Sequence, residues 1–161
     1  MIEYFDGYGR ADALRLMCAM GKVDFKSHAI SQEEWIVLKL QKELYPGGGL
    51  PVAVVQGRRM HQTMPIMRYL ALSTGYYPEL DLHAWACDSM MDVWSGTMDA
   101  MGGAMFAKEG DEEPMKKFLQ SMDRMLEIAT ERMEKHNWSY SSGNKLSCAD
   151  ILIASYHFNI I

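Results

Sequence analysis

The sequence predicts an α+β protein in two parts: a small mixed α/β unit over residues 1–75 and an all-helical unit over residues 79–161. Three observations predict it. Up to about Thr74, strand-length runs alternate with helical segments. A turn-forming connection, Gly75-Tyr76-Tyr77-Pro78, follows. Beyond it, apolar residues recur at spacings of four and three, the period of packed helices.

The first unit opens with IEYFDGYGRADALRLM, which reads as a strand, a glycine-containing turn and a helix. From Val23 to Ile30, Val23, Phe25 and Ala29 alternate with Asp24, Lys26 and His28, the pattern of a half-buried strand. A further helical segment precedes LPVAVVQGRRM. That stretch reads as a buried strand (Val52–Val55), a turn at Gln56-Gly57 and a returning strand from Arg58. A helix follows in MPIMRYLALST. The order β-α-β, helix, hairpin, helix is a mixed α/β unit.

In the second unit Leu80, Ala84, Cys87, Met91, Trp94, Met98, Met101 and Met105 form one stripe. Gly96, Gly102 and Gly103 weaken that helix by about 1 kcal/mol each relative to alanine, so a kink or a frayed end is expected. GDEEP supplies acidic residues for the next helix N-terminus. Met115, Phe118, Leu119, Met122, Leu126, Ala129 and Met133 then form a second stripe; both stripes read as core. In KLSCADI, Ser147 and Asp150 have capping-box spacing, with Leu146 and Ile151 placed for a hydrophobic staple. A capping box marks a helix start and carries no chemistry.

Composition narrows the function. With 161 residues and 48% hydrophobic content the chain builds a core and is not disordered. Sixteen basic against 21 acidic residues leave a net charge of −5, which argues against nucleic acid or an anionic membrane as partner. Cys18, Cys87 and Cys148 are odd in number and have no CxxC spacing; they read as reduced thiols of a cytoplasmic protein, with no metal site. No signal peptide and no apolar run of membrane-spanning length is expected. The 15 methionines read as adaptable core filler. The Gly7/Gly9 turn is not a phosphate loop. It lacks the third glycine of a dinucleotide fingerprint and places the Asp12 carboxylate where it would repel phosphate.

With YFDGYGRADALRL, GLPVAVV, HQTMPIMRYLA and LSCAD in order, the chain resembles a cytosolic glutathione transferase, most closely the tyrosine-type, sigma-like class. The resemblance implies a thioredoxin-like first domain, which binds glutathione, and a helical second domain. It implies a homodimer that conjugates glutathione, a co-substrate rather than a cofactor, to hydrophobic electrophiles. Tyr4 resembles the catalytic tyrosine, whose hydroxyl donates to the glutathione sulfur and favours thiolate over thiol. Lowering a thiol pKa of ~8.5 by about two units takes about 2.7 kcal/mol, within reach of one charge-assisted bond plus positive potential. Arg10 matches the arginine that supports this tyrosine.

Leu50-Pro51 matches the cis-proline pair whose preceding backbone pairs with the ligand's cysteine as an added strand. Gln62 and Thr63, just before a helix, would take the γ-glutamyl carboxylate. Trp35 and Lys39, spaced i, i+4 on one helix face, would take the glycyl carboxylate. Read without the resemblance, Tyr4 is a sheet tyrosine with its hydroxyl at the surface, and Trp35 with Lys39 is packing plus solvation. His61 reads as a surface or hairpin residue.

Several positions depart from the family pattern. Gly49 stands where relatives carry Gln or Lys, so one side-chain contact to glutathione is absent. The stretch from Lys39 to Gly49 is a few residues longer than usual. Pro65 replaces a small residue, tolerable in a first helical turn. Asp92 and Asp99 are both candidates for the acid that relatives pass across the dimer interface. The family continues past the capping-box helix with segments that complete the electrophile pocket, so an incomplete helical domain is expected at Ile161. Two alternatives follow from these departures: a glutathione-binding or structural, catalytically weak relative of crystallin type, or a truncated product without function.

Overall fold

In a computed structural model that describes residues 1–160, with side chains as far as Tyr156, four strands form one sheet in the order β2-β1-β3-β4. They are β1 (Ile2–Phe5), β2 (Ser27–Ile30), β3 (Val52–Val55) and β4 (Arg58–His61). β1 pairs parallel with β2 and antiparallel with β3, and β3 pairs antiparallel with β4. The intervening helices are α1 (Arg10–Met20), α2 (Gln32–Leu38) and α3 (Thr63–Thr74). This is the thioredoxin-like arrangement. The chain divides into two compact units, Met1–Tyr76 together with the last residues from Ser155, and Tyr77–Ala154.

The pleat sorts side chains onto two faces. Ile2 pairs with Ala53 and Glu3 with Val52, so these two rows point to opposite sides of the sheet. α1 and α3 pack together, α1 against β1 and α3 against β4. They bury Leu14, Met17, Ile66, Met67 and Leu70, each contributing about 1.5–3 kcal/mol. The other face carries Ile30, Tyr45 and Val52 with Trp35 and Leu38 packed on them. Beneath that cluster Glu3 is 4% exposed. Arg59 Nη2 meets its Oε2 and Nη1 donates to Oε1 at 3.3 Å. The Tyr45 hydroxyl donates to Glu3 at 3.1 Å, and Arg59 Nε donates to the Leu44 carbonyl at 2.7 Å.

Turns fall where the backbone requires them. Gln56 (φ 50°) and Gly57 (φ 77°) are both left-handed, the signature of a two-residue type I′ hairpin. Gly75 at φ 79° ends α3 in a left-handed cap. Ser31 and Glu34 form a capping box at α2, with Ser31 Oγ accepting the Glu34 N–H at 3.1 Å and Glu34 accepting the Ser31 N–H at 2.8 Å.

The expected strand from Val23 is shorter than its alternation suggests. Lys22 has φ 53° and Val23 N–H donates to the Cys18 carbonyl at 2.8 Å, so these residues close α1 instead. β2 is an edge strand with only Ile30 buried.

In the second unit α4 (Asp81–Met105) runs through Gly96, Gly102 and Gly103 without interruption. α5 (Glu113–His136) packs against it, and α6 (Cys148–Ile160) follows. Thr97 Oγ1 donates to Ser121 O, and Arg132 donates to Ala86 O and Ser89 Oγ, so α4 and α5 run antiparallel. The first stripe is buried through Cys87, Met91, Trp94 and Met98, but Leu80 and Met105 are exposed. On α5 the inward row is Phe118, Met125 and Ala129, whereas Met115, Leu119 and Leu126 face solvent. The second stripe as read from sequence merges two rows of one helix. At α6 the return half of the expected box is present, the Asp150 carboxylate accepting Ser147 N–H and Oγ–H at 2.9 and 2.8 Å, while the Asp150 N–H donates to the Ser147 carbonyl at 3.2 Å. The carboxylate also accepts Ser141 N–H at 2.9 Å. Among the described residues no helix is long and apolar enough to cross a membrane.

Candidate active site

Tyr4 sits at the third position of β1, half-buried, and the turn after the strand brings its hydroxyl to the start of α1. The Arg10 backbone N–H donates to the Tyr4 hydroxyl at 3.1 Å. That bond occupies an acceptor site and leaves the hydroxyl proton available for an outside acceptor. Gly9, at φ 154° and ψ −143°, carries no Cβ because one would overlap the Tyr4 hydroxyl. Asp12 Oδ2 accepts the Gly9 N–H at 2.6 Å and Oδ1 accepts from Arg15 at 2.8 Å. The carboxylate read as hostile to phosphate is therefore the cap that fixes the turn. A glycine before a helix with an acid three residues on was the available signal.

Burial pushes the Tyr4 phenol above the ordinary tyrosine value. The Arg10 N–H and guanidinium oppose it, Asp12 adds to it, and Arg15 opposes it weakly. The phenol therefore holds its proton at neutral pH. The folded state keeps that proton to higher pH than the unfolded chain. Its contribution to stability is full below about pH 10 and declines as pH rises through the folded value. The difference in ultraviolet absorbance between the parent and Tyr4→Phe is expected to show a tyrosinate transition above pH 10. A transition assigned to Tyr4 below that pH would contradict the burial argument.

The other sequence-predicted residues lie just before β3, on α2 and its C-cap, and at the start of α3. The Leu50–Pro51 bond is cis. Leu50 is half-buried, and its N–H and C=O make no hydrogen bond among the described residues. Gln62 is the exposed N-cap of α3, with φ 72° and no side-chain cap bond. Thr63 is buried at the first helical position. The N–H groups of Thr63 and Met64 carry no bond among the described residues, and Pro65 has no N–H to offer, so this helix end presents unsatisfied donors. Gly47 lies against His61, which is exposed at the end of β4, and close to Gln62. The glycine-rich loop and the α3 N-terminus are thus neighbours.

Trp35 packs edge-on to Phe5 and Tyr45 at 6.0 and 5.1 Å. Lys39 is the exposed C-cap of α2, and its N–H donates to the Trp35 carbonyl at 3.0 Å, which keeps both on one helical face. Gly49 is half-buried, and a Cβ built on it would meet nothing within 4 Å. Asp92 and Asp99 are both exposed on α4. Among the described residues no cluster of His, Cys, Asp or Glu could hold a metal ion.

No protein-family model matches the chain. Individual relatives do. It is 28% identical over 158 residues to glutathione S-transferase 4 of Caenorhabditis elegans, covering 94% of this chain and 75% of the relative. It is 32% identical over 90 residues to the hematopoietic prostaglandin D synthase of Rattus norvegicus, covering 56% of this chain and 44% of that one. Among solved structures, a monomeric glutathione S-transferase of the hookworm Necator americanus superposes with TM-score 0.82 at 25% identity, over 96% of this chain and 77% of that one. The relative matched along most of the chain and the superposed structure are both glutathione S-transferases.

Gly9 is a residue that the sequence reading passed over as part of a failed phosphate motif. Its backbone lies in a region populated almost only by glycine, at a cost of about 1–3 kcal/mol for other residues. Gly9→Ala is expected to lower unfolding stability by that amount and to displace the Tyr4 ring, whose nearest carbons would lie 3.2–3.3 Å from the new methyl. Urea denaturation measures the first effect. A midpoint equal to the parent's would show that the turn does not need glycine.

Proposed function

We propose that this protein binds glutathione on its first unit and activates the thiol through Tyr4, adding the thiolate to a hydrophobic electrophile. The observation that carries the reading is the Arg10 N–H to Tyr4 hydroxyl bond, which fills an acceptor site on the oxygen and leaves its proton for an outside acceptor. A donor directed at sulfur stabilises the charged form and lowers the thiol pKa. The Arg10 guanidinium adds positive potential beside it. Leu50 offers an unpaired N–H and C=O for the cysteinyl backbone, and the open N–H groups at Thr63 and Met64 suit the γ-glutamyl carboxylate, with Gln62 beside them. Lys39 and the Trp35 indole edge suit the glycyl carboxylate. A cytoplasmic homodimer is part of the same proposal, although the hookworm relative is a monomer.

Amide NMR with and without glutathione tests binding. Shifts clustered around Tyr4, Leu50 and Gln62–Thr63 support the site, and an unchanged spectrum at millimolar glutathione refutes it. Glutathione-dependent consumption of an aryl halide tests turnover. One observation favours a second reading, a relative that binds glutathione but turns over poorly. Gly49 leaves open space where relatives place a contacting side chain. Binding by NMR with no conjugation above the uncatalysed rate would establish that reading instead.

A further inference from the structure

The second unit contains a cluster of sulfur atoms that takes no part in the proposed glutathione chemistry. Cys87 lies on α4 and Cys148 is the first residue of α6; both are fully buried. Their Sγ atoms are 3.4 Å apart, and Met91 Sδ lies 4.0 Å from Cys148 Sγ. Once one of two thiols in contact and shielded from solvent is oxidised, the other is its nearest nucleophile.

We propose that Cys87 and Cys148 are a modification site, forming a reversible intramolecular disulfide when a small peroxide reaches them. A disulfide has an S–S length of about 2.05 Å. The two sulfurs therefore have to approach by little more than about an ångström, the difference between the two lengths. The α6 N-terminus favours the first step. Cys148 S–H and then the Ala149 N–H donate to the Cys87 sulfur and hold its thiol below the ordinary cysteine range, against burial and Asp88. The thiolate is the reactive form toward peroxide. Cys18 has no such neighbours, and burial pushes its thiol up.

The chemistry balances within the cluster. The Cys87 thiolate attacks one peroxide oxygen, the O–O bond breaks, and the departing hydroxide leaves as water with one proton. Cys87 is then a sulfenic acid. Cys148 sulfur attacks the Cys87 sulfur, the S–O bond breaks, and a second water leaves with the Cys148 proton. Two electrons pass from the sulfurs to hydrogen peroxide. The absence of exposed surface at either thiol selects a compact oxidant over a bulky disulfide, which needs in-line access to the attacking sulfur.

Thiol mapping on the intact, unmutated chain tests this. Reduced protein is treated with hydrogen peroxide, quenched in acid, unfolded, alkylated and digested. Alkylatable thiols are expected to fall from three to one. A single cross-linked peptide should join Cys87 to Cys148, and dithiothreitol should restore all three thiols. The cross-link should persist in Cys18→Ala and vanish in Cys148→Ala. Three alkylatable thiols after peroxide, or thiol loss as sulfinic acid without the cross-linked peptide, overturns the proposal. Glutathione disulfide at equal concentration is expected to leave the thiols intact. Cross-linking as fast as with peroxide would overturn the assignment of a compact oxidant.

Discussion

Tyr4→Phe is expected to move the pH midpoint of glutathione conjugation upward by about two units, toward the ordinary thiol value near 8.5. At pH 7 a thiol of pKa ~8.5 is about 3% ionised, whereas one lowered by two units is about three-quarters ionised. A stabilised thiolate is also a weaker nucleophile, which trims the gain in rate. The net deficit of the variant is therefore on the order of tenfold at neutrality and shrinks toward pH 9. Glutathione affinity changes little, because the hydroxyl is one contact among several. The pH profile of kcat separates this role from a merely structural one. A variant whose midpoint and neutral rate match the parent's would remove Tyr4 from the mechanism.

Glu3→Ala is expected to lower unfolding free energy by about 3–5 kcal/mol, the usual loss when one partner of a buried ion pair is removed. Against a typical total of about 5–15 kcal/mol this is a large fraction. The substitution strips Arg59 of its carboxylate and the Tyr45 hydroxyl of its acceptor, under the cluster of Trp35, Ile30 and Val52. The lower end of the range is expected, since Arg59 is 21% exposed and keeps its bond to Leu44. The double substitution Glu3→Leu with Arg59→Leu should recover much of the loss, because it leaves no charge uncompensated. Urea titrations of the single and double variants read both effects. A single variant losing less than about 1 kcal/mol would mean that water already screens the pair.

Neither Glu3 nor Arg59 was legible as a pair. They are 56 residues apart and meet only because β1, β3 and β4 are neighbours in the sheet. Local chemistry was far more legible. The valine run and Gln56-Gly57 declare the β3–β4 hairpin, and Gly75 ends α3 where its left-handed backbone requires it. Ser147 and Asp150 declare the start of α6. Periodicity misled in two places. Val23–Lys26 alternates yet lies outside β2, Val23 closing α1 and the Lys26 carbonyl accepting the Ile2 N–H, since alternation cannot distinguish a strand from an extended lead-in. On α5 two apolar rows interleave, and only packing against α4 selects Phe118, Met125 and Ala129 over Met115, Leu119 and Leu126. For the candidate site, Tyr4, Leu50, Gln62 and Thr63 were named through the resemblance, since spacing alone reads Tyr4 as an ordinary sheet tyrosine. That the Arg10 contact comes from its backbone N–H, and that Gly9 must lack a side chain, follows only from three-dimensional placement.

The alternation of β1 makes Glu3 and Tyr4 a matter of parity. Adjacent in the chain, they face opposite sides of the sheet, one carrying the ionic anchor of the fold and the other the proposed donor. Substitutions on either side can accumulate independently, so selection on folding and selection on chemistry need not conflict within this strand. Insertion or deletion of one residue is different in kind. It would exchange the two faces, turn the carboxylate toward the thiol's side and drive the phenol against Arg59, abolishing both properties in one event. The length of this four-residue strand is therefore constrained twice over, once by the fold and once by the proposed chemistry.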